Sequence, residues 1–192
     1  MPDQLGFPGM DIEAPAVDKL LLVISLDANT AEQALDLARR ERREHGLTGQ
    51  PLLASRLHVT LHHLGTYAGL PRDVVAKALQ AGAAVAMAPF DVSMDRVMSY
   101  RNRGKPPLVL CGGQVSALKT FQRALGLEMA RAGLGKWVES SFTPHVTLLY
   151  DNKSVDEHAV DPIGWTVREF VLLHSVVGET LHIPLHSWPL RG

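Results

Sequence analysis

Arg56-Leu57-His58-Val59-Thr60-Leu61-His62-His63-Leu64-Gly65 decides how the chain is read, because its centre returns as Pro144-His145-Val146-Thr147-Leu148. Successive side chains of an extended strand point to opposite faces. His58 and Thr60 therefore share one face while Val59 and Leu61 share the other. The second copy divides the same way, with His145 and Thr147 against Val146 and Leu148. Two such strands side by side place two imidazoles and two hydroxyls around one small anion. A repeated tetrapeptide alone has a chance expectation on the order of a few tenths. The weight rests on context, since both copies follow turn-like residues and run into apolar strand patterns.

Around these copies the chain reads as α+β. Lys19 to Asp27 is an apolar run of strand length. Thr30 followed by Gln33 reads as a capping box, opening a helix that stops at Gly46. Arg39, Arg40, Arg42 and Arg43 on that helix, mixed with Glu41 and Glu44, read as a solvated face. An alanine-rich helix from Pro71 through Ala88 is expected to pack closely against a neighbour. Phe90 to Tyr100 alternates as a strand that slips near Asp95, a bulge or turn. Arg101 to Pro107 is a hairpin loop into the strand Leu108 to Cys111. A helix follows over Ser116 to Ala132, then the second motif strand, Phe142 to Tyr150. Asp151 to Gly164 is polar and turn-rich and is expected to be a loop with room for short structure. Val167 to Val177 and Leu181 to Trp188 make a closing hairpin. The two halves have similar content, each holding one motif strand.

The chain has 192 residues, enough for one full core or two small lobes sharing one. Nineteen basic against twenty acidic residues give a net charge of −1, which argues against a broad grip on a nucleic-acid backbone. A short RNA end held at its terminal phosphate is compatible with it. The single cysteine, Cys111, rules out an internal disulfide and reads as a small buried hydrophobe. No apolar run approaches a membrane span, and the first 18 residues lack the pattern of a signal peptide. Residues 1–18 read as a mobile tail, and a cytoplasmic enzyme is the expected class.

The two His-x-Thr-Leu motifs, the first continuing as HVTLHHLG and the second preceded by Phe142-Thr143-Pro144, resemble those of the 2H phosphoesterases. Within these the chain looks most like the RNA 2′,3′-cyclic phosphodiesterases, also known as 2′-5′ RNA ligases. The resemblance covers about residues 19 to 190, including the run LLLVISLD, Leu64-Gly65 and Leu172 to Ser175. It implies a bilobal, pseudo-two-fold fold in which two antiparallel-rich sheets line a central groove with helices outside. Residues 19–192 would form one catalytic domain with approximate lobes 19–90 and 91–192, strands being free to cross.

The chemistry suits the residues. Opening a cyclic phosphate needs one proton taken from the attacking oxygen and one given to the departing oxygen. Imidazoles titrate near neutrality and can do both without a metal or other cofactor. Threonine hydroxyls can hold the non-bridging oxygens. The resemblance implies hydrolysis of an RNA 2′,3′-cyclic phosphate end to a 2′-phosphate, by a monomer, with reversible 2′-5′ ligation compatible. His58 is assigned as general acid and His145 as general base, with Thr60 and Thr147 on the phosphate. His62, on the His58 face if the strand stays regular, flanks the groove, while His63 points the other way into packing. Arg101, Arg103 and Lys105 form a basic loop cluster that could grip RNA phosphates or be a solvated hairpin tip. Ser175 matches a family position near the groove; His174, His182 and His186 have no assignment. Rival readings are a phosphodiesterase for another cyclic nucleotide or a 2′-5′ oligonucleotide, and a non-catalytic RNA-end binding module. A zinc hydrolase using His58, His62, His63 and His145 lacks a carboxylate or cysteine ligand beside either motif.

Overall fold

The apolar run after residue 18 becomes β1 (Val17–Ser25), beginning two residues earlier than the sequence pattern suggests because Val17 and Asp18 already pair with Ala68 and Tyr67. A computed structural model describes residues 17–100, 104–177 and 181–192. Residues 1–16 of the expected tail, Arg101 and Arg103 lie outside the described residues, while Val17 and Asp18, expected in the tail, belong to β1. Helix α1 (Ala28–Glu44) is capped by Asp27 rather than Thr30: the Asp27 carboxylate accepts the Thr30 N–H at 2.8 Å. A carboxylate at the helix mouth is the better acceptor and meets the positive end of the dipole. Thr30 is buried instead in the first turn.

The first motif forms β2 (His58–Ala68), and α2 (Arg72–Ala84) follows. Strand β3 (Phe90–Ser99) carries the expected slip, a register shift between Met94 and Arg96. β4 (Pro107–Cys111), α3 (Ser116–Arg131) and β5 (His145–Tyr150), the second motif strand, come next. Where a loop was expected, His158–Val167 forms β6. Its Pro162 and Gly164 disguise it, and an edge strand tolerates both. β6 is such an edge, with Ile163, Trp165 and Val167 buried in alternation. The closing hairpin is β7 (Glu169–Val177) and β8 (Leu181–Pro189).

The strands form one eight-stranded sheet in the order β6-β3-β4-β5-β2-β1-β7-β8, every neighbouring pair antiparallel. The two sheets implied by the family resemblance are its two four-stranded halves, which meet where Val59 pairs with Val146. β7 and β8, from the end of the chain, complete the half built on β1 and β2.

The faces are sharply divided. Leu20, Leu22 and Ile24 of β1 join the main core with Ala34, Leu37 and Ala38 of α1 and Phe121, Leu125 and Met129 of α3. Each such large side chain contributes roughly 1.5–3 kcal/mol by leaving water. The alanine-rich α2 packs closely, as its composition suggests: a Cβ on Gly82 would lie 2.4 Å from the Trp188 ring. Trp188 in turn stacks on Phe170 at 4.8 Å. On the opposite face, among the described residues, Leu21, Val23, Val171 and Leu173 form a small cluster, and beside them the sheet opens into a groove. No helix among the described residues is long and apolar enough to cross a membrane.

Candidate active site

The seam between the halves is where the two motifs meet. Val59 faces Val146 across it, both fully buried. The antiparallel register then sets Thr60 opposite His145 and His58 opposite Thr147 on the other face. Same-face diagonal neighbours in such a ladder are about 7–8 Å apart, so the two histidines flank a space the size of a phosphate. All four side chains line one groove of about 400 Å³, within the range of small-ligand sites.

The two imidazoles are held alike. His58 Nδ1–H donates to the Arg56 carbonyl at 2.7 Å, and His145 Nδ1–H donates to the Thr143 carbonyl at 2.8 Å. Each bond reaches two residues back along the chain and fixes the tautomer, leaving Nε2 to accept a proton when the ring is neutral and to give one when it is charged. Each ring also has an edge-to-face neighbour: His182 at 5.4 Å from His58, Tyr100 at 5.0 Å from His145. Burial pushes His58 down to about 4 against the weaker opposing pull of its bond to the Arg56 carbonyl, with the charges of His182 and Arg56 adding to the depression. Burial pushes the Tyr100 hydroxyl up to about 12, so that phenol stays protonated beside His145.

Neighbouring strands finish the walls. Lys19 and Leu21 come from β1 and Ser175 from β7, where Ser175 pairs with His182 of β8 and Lys19 pairs with Ser175. Arg56 comes from the short 3-10 turn Ala54–Arg56, Leu52 from the loop before it, and Tyr150 from the end of β5. No aspartate or glutamate lines the groove among the described residues. Two permanent cations, Lys19 and Arg56, therefore face it with no carboxylate to offset them. Such a pocket attracts an anion although the whole chain is slightly negative. The same donor set offers a metal ion imidazoles but no carboxylate or thiolate.

His62 departs from the sequence expectation. A register shift between Leu22 and Val23 of β1 skips Leu61, so Leu22 pairs with His62 while Val23 pairs with Thr60. Beyond this bulge the alternation is inverted. His62 turns into the core, 1% exposed, and His63 comes out to line the groove. Both His62 nitrogens are used: Nδ1 accepts the Glu139 N–H at 3.1 Å, and Nε2–H donates to the Gln122 carbonyl at 3.1 Å. It pins β2 to α3 and to the segment leading into the second motif.

Ser175 lies in the groove as the resemblance implies. Lys105 is exposed in the β3–β4 connection and does not line it. Lys19, Arg56, His63, Tyr150 and His182 were not assigned from sequence. Arg56 alone had a local signal, its place two residues before the motif histidine. His174 turns away from the groove and hydrogen-bonds Asp18. Cys111 is buried, and burial raises its thiol above the ordinary range.

The fold is shared with solved structures. E. coli LigT in its apo form is 25% identical, with a TM-score of 0.70, over 92% of this chain and 99% of that one. E. coli LigT complexed with 3′-AMP is 26% identical, with a TM-score of 0.67 and the same coverage. The protein TT0787 of Thermus thermophilus shares the fold at 20% identity, with a TM-score of 0.71, over 91% of this chain and 98% of that one. None of the curated proteins compared matches the chain. The model of the 2′-5′ RNA ligase superfamily matches residues 29–179, and with both motifs of the groove inside that span, the chain belongs to this superfamily.

Proposed function

We propose that the groove hydrolyses 2′,3′-cyclic phosphate ends of RNA to 2′-phosphates without a metal ion, and reversibly joins such an end to a 5′-hydroxyl by the same transfer, the hydroxyl attacking in place of water. One observation carries the reading: two imidazoles with Nδ1 tied back to the chain, each beside a threonine, in a cationic groove lined by no carboxylate among the described residues. Attack in line on phosphorus needs a base on one side and an acid on the other. Histidines from the two halves of the sheet suit that arrangement. His145 takes the proton of the attacking water, and His58 gives one to the departing 3′ oxygen. The hydroxyls of Thr60 and Thr147 donate to the non-bridging oxygens, and Lys19 and Arg56 hold the negative charge in place. That E. coli LigT crystallises with 3′-AMP, at 26% identity to this chain, agrees with a nucleotide phosphate seated between the motifs.

The test is a panel of 2′,3′-cyclic nucleotides, cyclic-ended oligonucleotides, other cyclic nucleotides and 2′-5′ dinucleotides, incubated with the protein in excess chelator. Cyclic-ended RNA should be opened, and its product should resist a phosphatase specific for 3′-phosphates. Turnover confined to another member of the panel would move the substrate. Binding without turnover would make the protein an RNA-end binding module. Activity lost in chelator and restored by zinc would overturn the metal-free mechanism.

A further inference from the structure

Away from the groove, α1 and β6 bring three metal-ligating side chains to one point. Glu41 and His45 stand four residues apart near the end of α1 and so share a helix face; His158 opens β6. The Glu41 side chain is 1% exposed, and its Oε2 lies 3.3 Å from His45 Nε2 and 3.0 Å from His158 Nε2. All three ligand atoms fall within 4.8 Å of one another. Around a tetrahedral zinc ion, with bonds of about 2.0–2.1 Å, neighbouring donor atoms are about 3.3 Å apart.

The surroundings are those of a built site. Glu41 Oε2 is fully buried and has no well-aligned hydrogen bond among the described residues. The other carboxylate oxygen faces Arg40 Nε at 3.9 Å. His158 Nδ1–H donates to the Asp156 carbonyl at 3.0 Å. That bond leaves Nε2 with its lone pair, the orientation imposed on metal-bound imidazoles. Lys153 Nζ donates to the His45 carbonyl at 2.5 Å, tying down the end of α1. The two histidine side chains are 37% and 34% exposed, so an ion can enter from solvent and water can complete the fourth position.

We propose that Glu41, His45 and His158 bind a divalent transition-metal ion of the zinc type, which braces the end of α1 against the start of β6. Two imidazoles and one carboxylate suit zinc; magnesium and calcium prefer oxygen donors alone. None of the three residues lines the groove, so the ion takes no part in the phosphate chemistry proposed above.

The whole chain, stripped with chelator and dialysed, is titrated with zinc alone by calorimetry. One zinc should bind per chain, and thermal unfolding should rise by about 5–10 °C at zinc a hundredfold above Kd. Glu41→Gln and His158→Gln should each weaken binding at least tenfold, while His58→Ala should leave it unchanged. Absence of stoichiometric binding, or binding that Glu41→Gln keeps and His58→Ala loses, overturns the proposal. A measurement on the unsubstituted protein covers a variant that fails to fold. Zinc should shift the imidazole nitrogen resonances of His45 and His158 and leave those of His58 and His145; shifts at the groove histidines alone overturn it equally.

Discussion

For His58 to act as the acid it must gain a proton that the free protein refuses. Burial, with the charges of His182 and Arg56 beside it, holds its imidazole down at about 4. At pH 7 only about one molecule in a thousand then carries the imidazolium. Bringing that value to about 7 takes roughly 4 kcal/mol. A phosphodiester anion is of the right size to supply it, since an opposite charge at about 4–6 Å moves such a group by about one to three pH units. The anion also displaces water and offsets the Arg56 charge that opposes protonation. Substrate binding at pH 7 should therefore draw in up to about half a proton per chain.

The measurement uses His145→Ala protein, in which the base is missing and a 2′,3′-cyclic nucleotide survives the experiment. Its binding heat is compared at pH 7 in two buffers of different ionisation enthalpy, and the difference gives the protons taken up. The same titration of the doubly substituted His58→Ala, His145→Ala protein should show that uptake abolished. The cyclic diester has no ionisation of its own near pH 7, so the signal belongs to the protein. A binding heat independent of buffer would mean that His58 stays neutral in the complex. A neutral imidazole there can only be the base, and the two roles would exchange. Uptake that persists without His58 would place the proton on His63 or His182, both also held low by burial.

On cyclic-ended RNA, His58→Ala and His145→Ala should each lose at least about 10²-fold in turnover. A nitrophenyl phosphodiester, whose leaving group departs without a proton, should restore rate only to His58→Ala; equal losses on both substrates would contradict the assignment of acid and base. Because His58 titrates at about 4 in the folded chain against 6.5 in its ordinary state, the unfolded chain binds the extra proton between those values. Stability should thus rise with pH from about 4 to 6.5, by up to roughly 3 kcal/mol from this group; urea midpoints at pH 5 and 7 that do not differ would refute this. The Asp151 carboxylate accepts backbone N–H groups of Thr48, Gly49 and Lys153 at 2.6, 2.6 and 2.8 Å and is held down at about 2 by them. Asp151→Ala should cost about 2–4 kcal/mol in urea unfolding, and an unchanged midpoint would show that this loop does not need the clamp.

Most of the fold was legible because its elements carry strong periodicity. The run of β1, the stop of α1 at Gly46 and the alternation of β3, down to its slip at Asp95, are local features that tertiary structure did not override, whereas the cap of α1 fell on Asp27 and not on Thr30. β6 was hidden because an edge strand need satisfy fewer constraints. With β3 its one sheet partner among the described residues, it accommodates Pro162 and Gly164, and these read in isolation as a loop. Strand order was hidden for another reason: two halves of similar content are visible in the letters, but the return of β7 and β8 to β1 is a matter of long-range pairing.

The four motif side chains were placed by alternation alone, which is a local rule. Lys19 and His182 enter the groove only because β1, β7 and β8 lie beside β2, and no spacing in the sequence announces that. Nor could the net charge reveal the cationic groove, since a sum near zero hides the separation of its signs. The exchange of His62 and His63 is more instructive, because a signal was present. Strict alternation from His58 sends Leu64 into the polar groove and His63 into the core. A one-residue slip after Thr60 corrects both at once, giving Leu64 no exposure and His63 a place in the groove. What it demands is that His62 be buried, which costs little only if both ring nitrogens find partners. Glu139 and Gln122 supply them from α3 and the segment after it. The bulge is therefore the arrangement that satisfies all three side chains, and Leu64 was the residue that called for it.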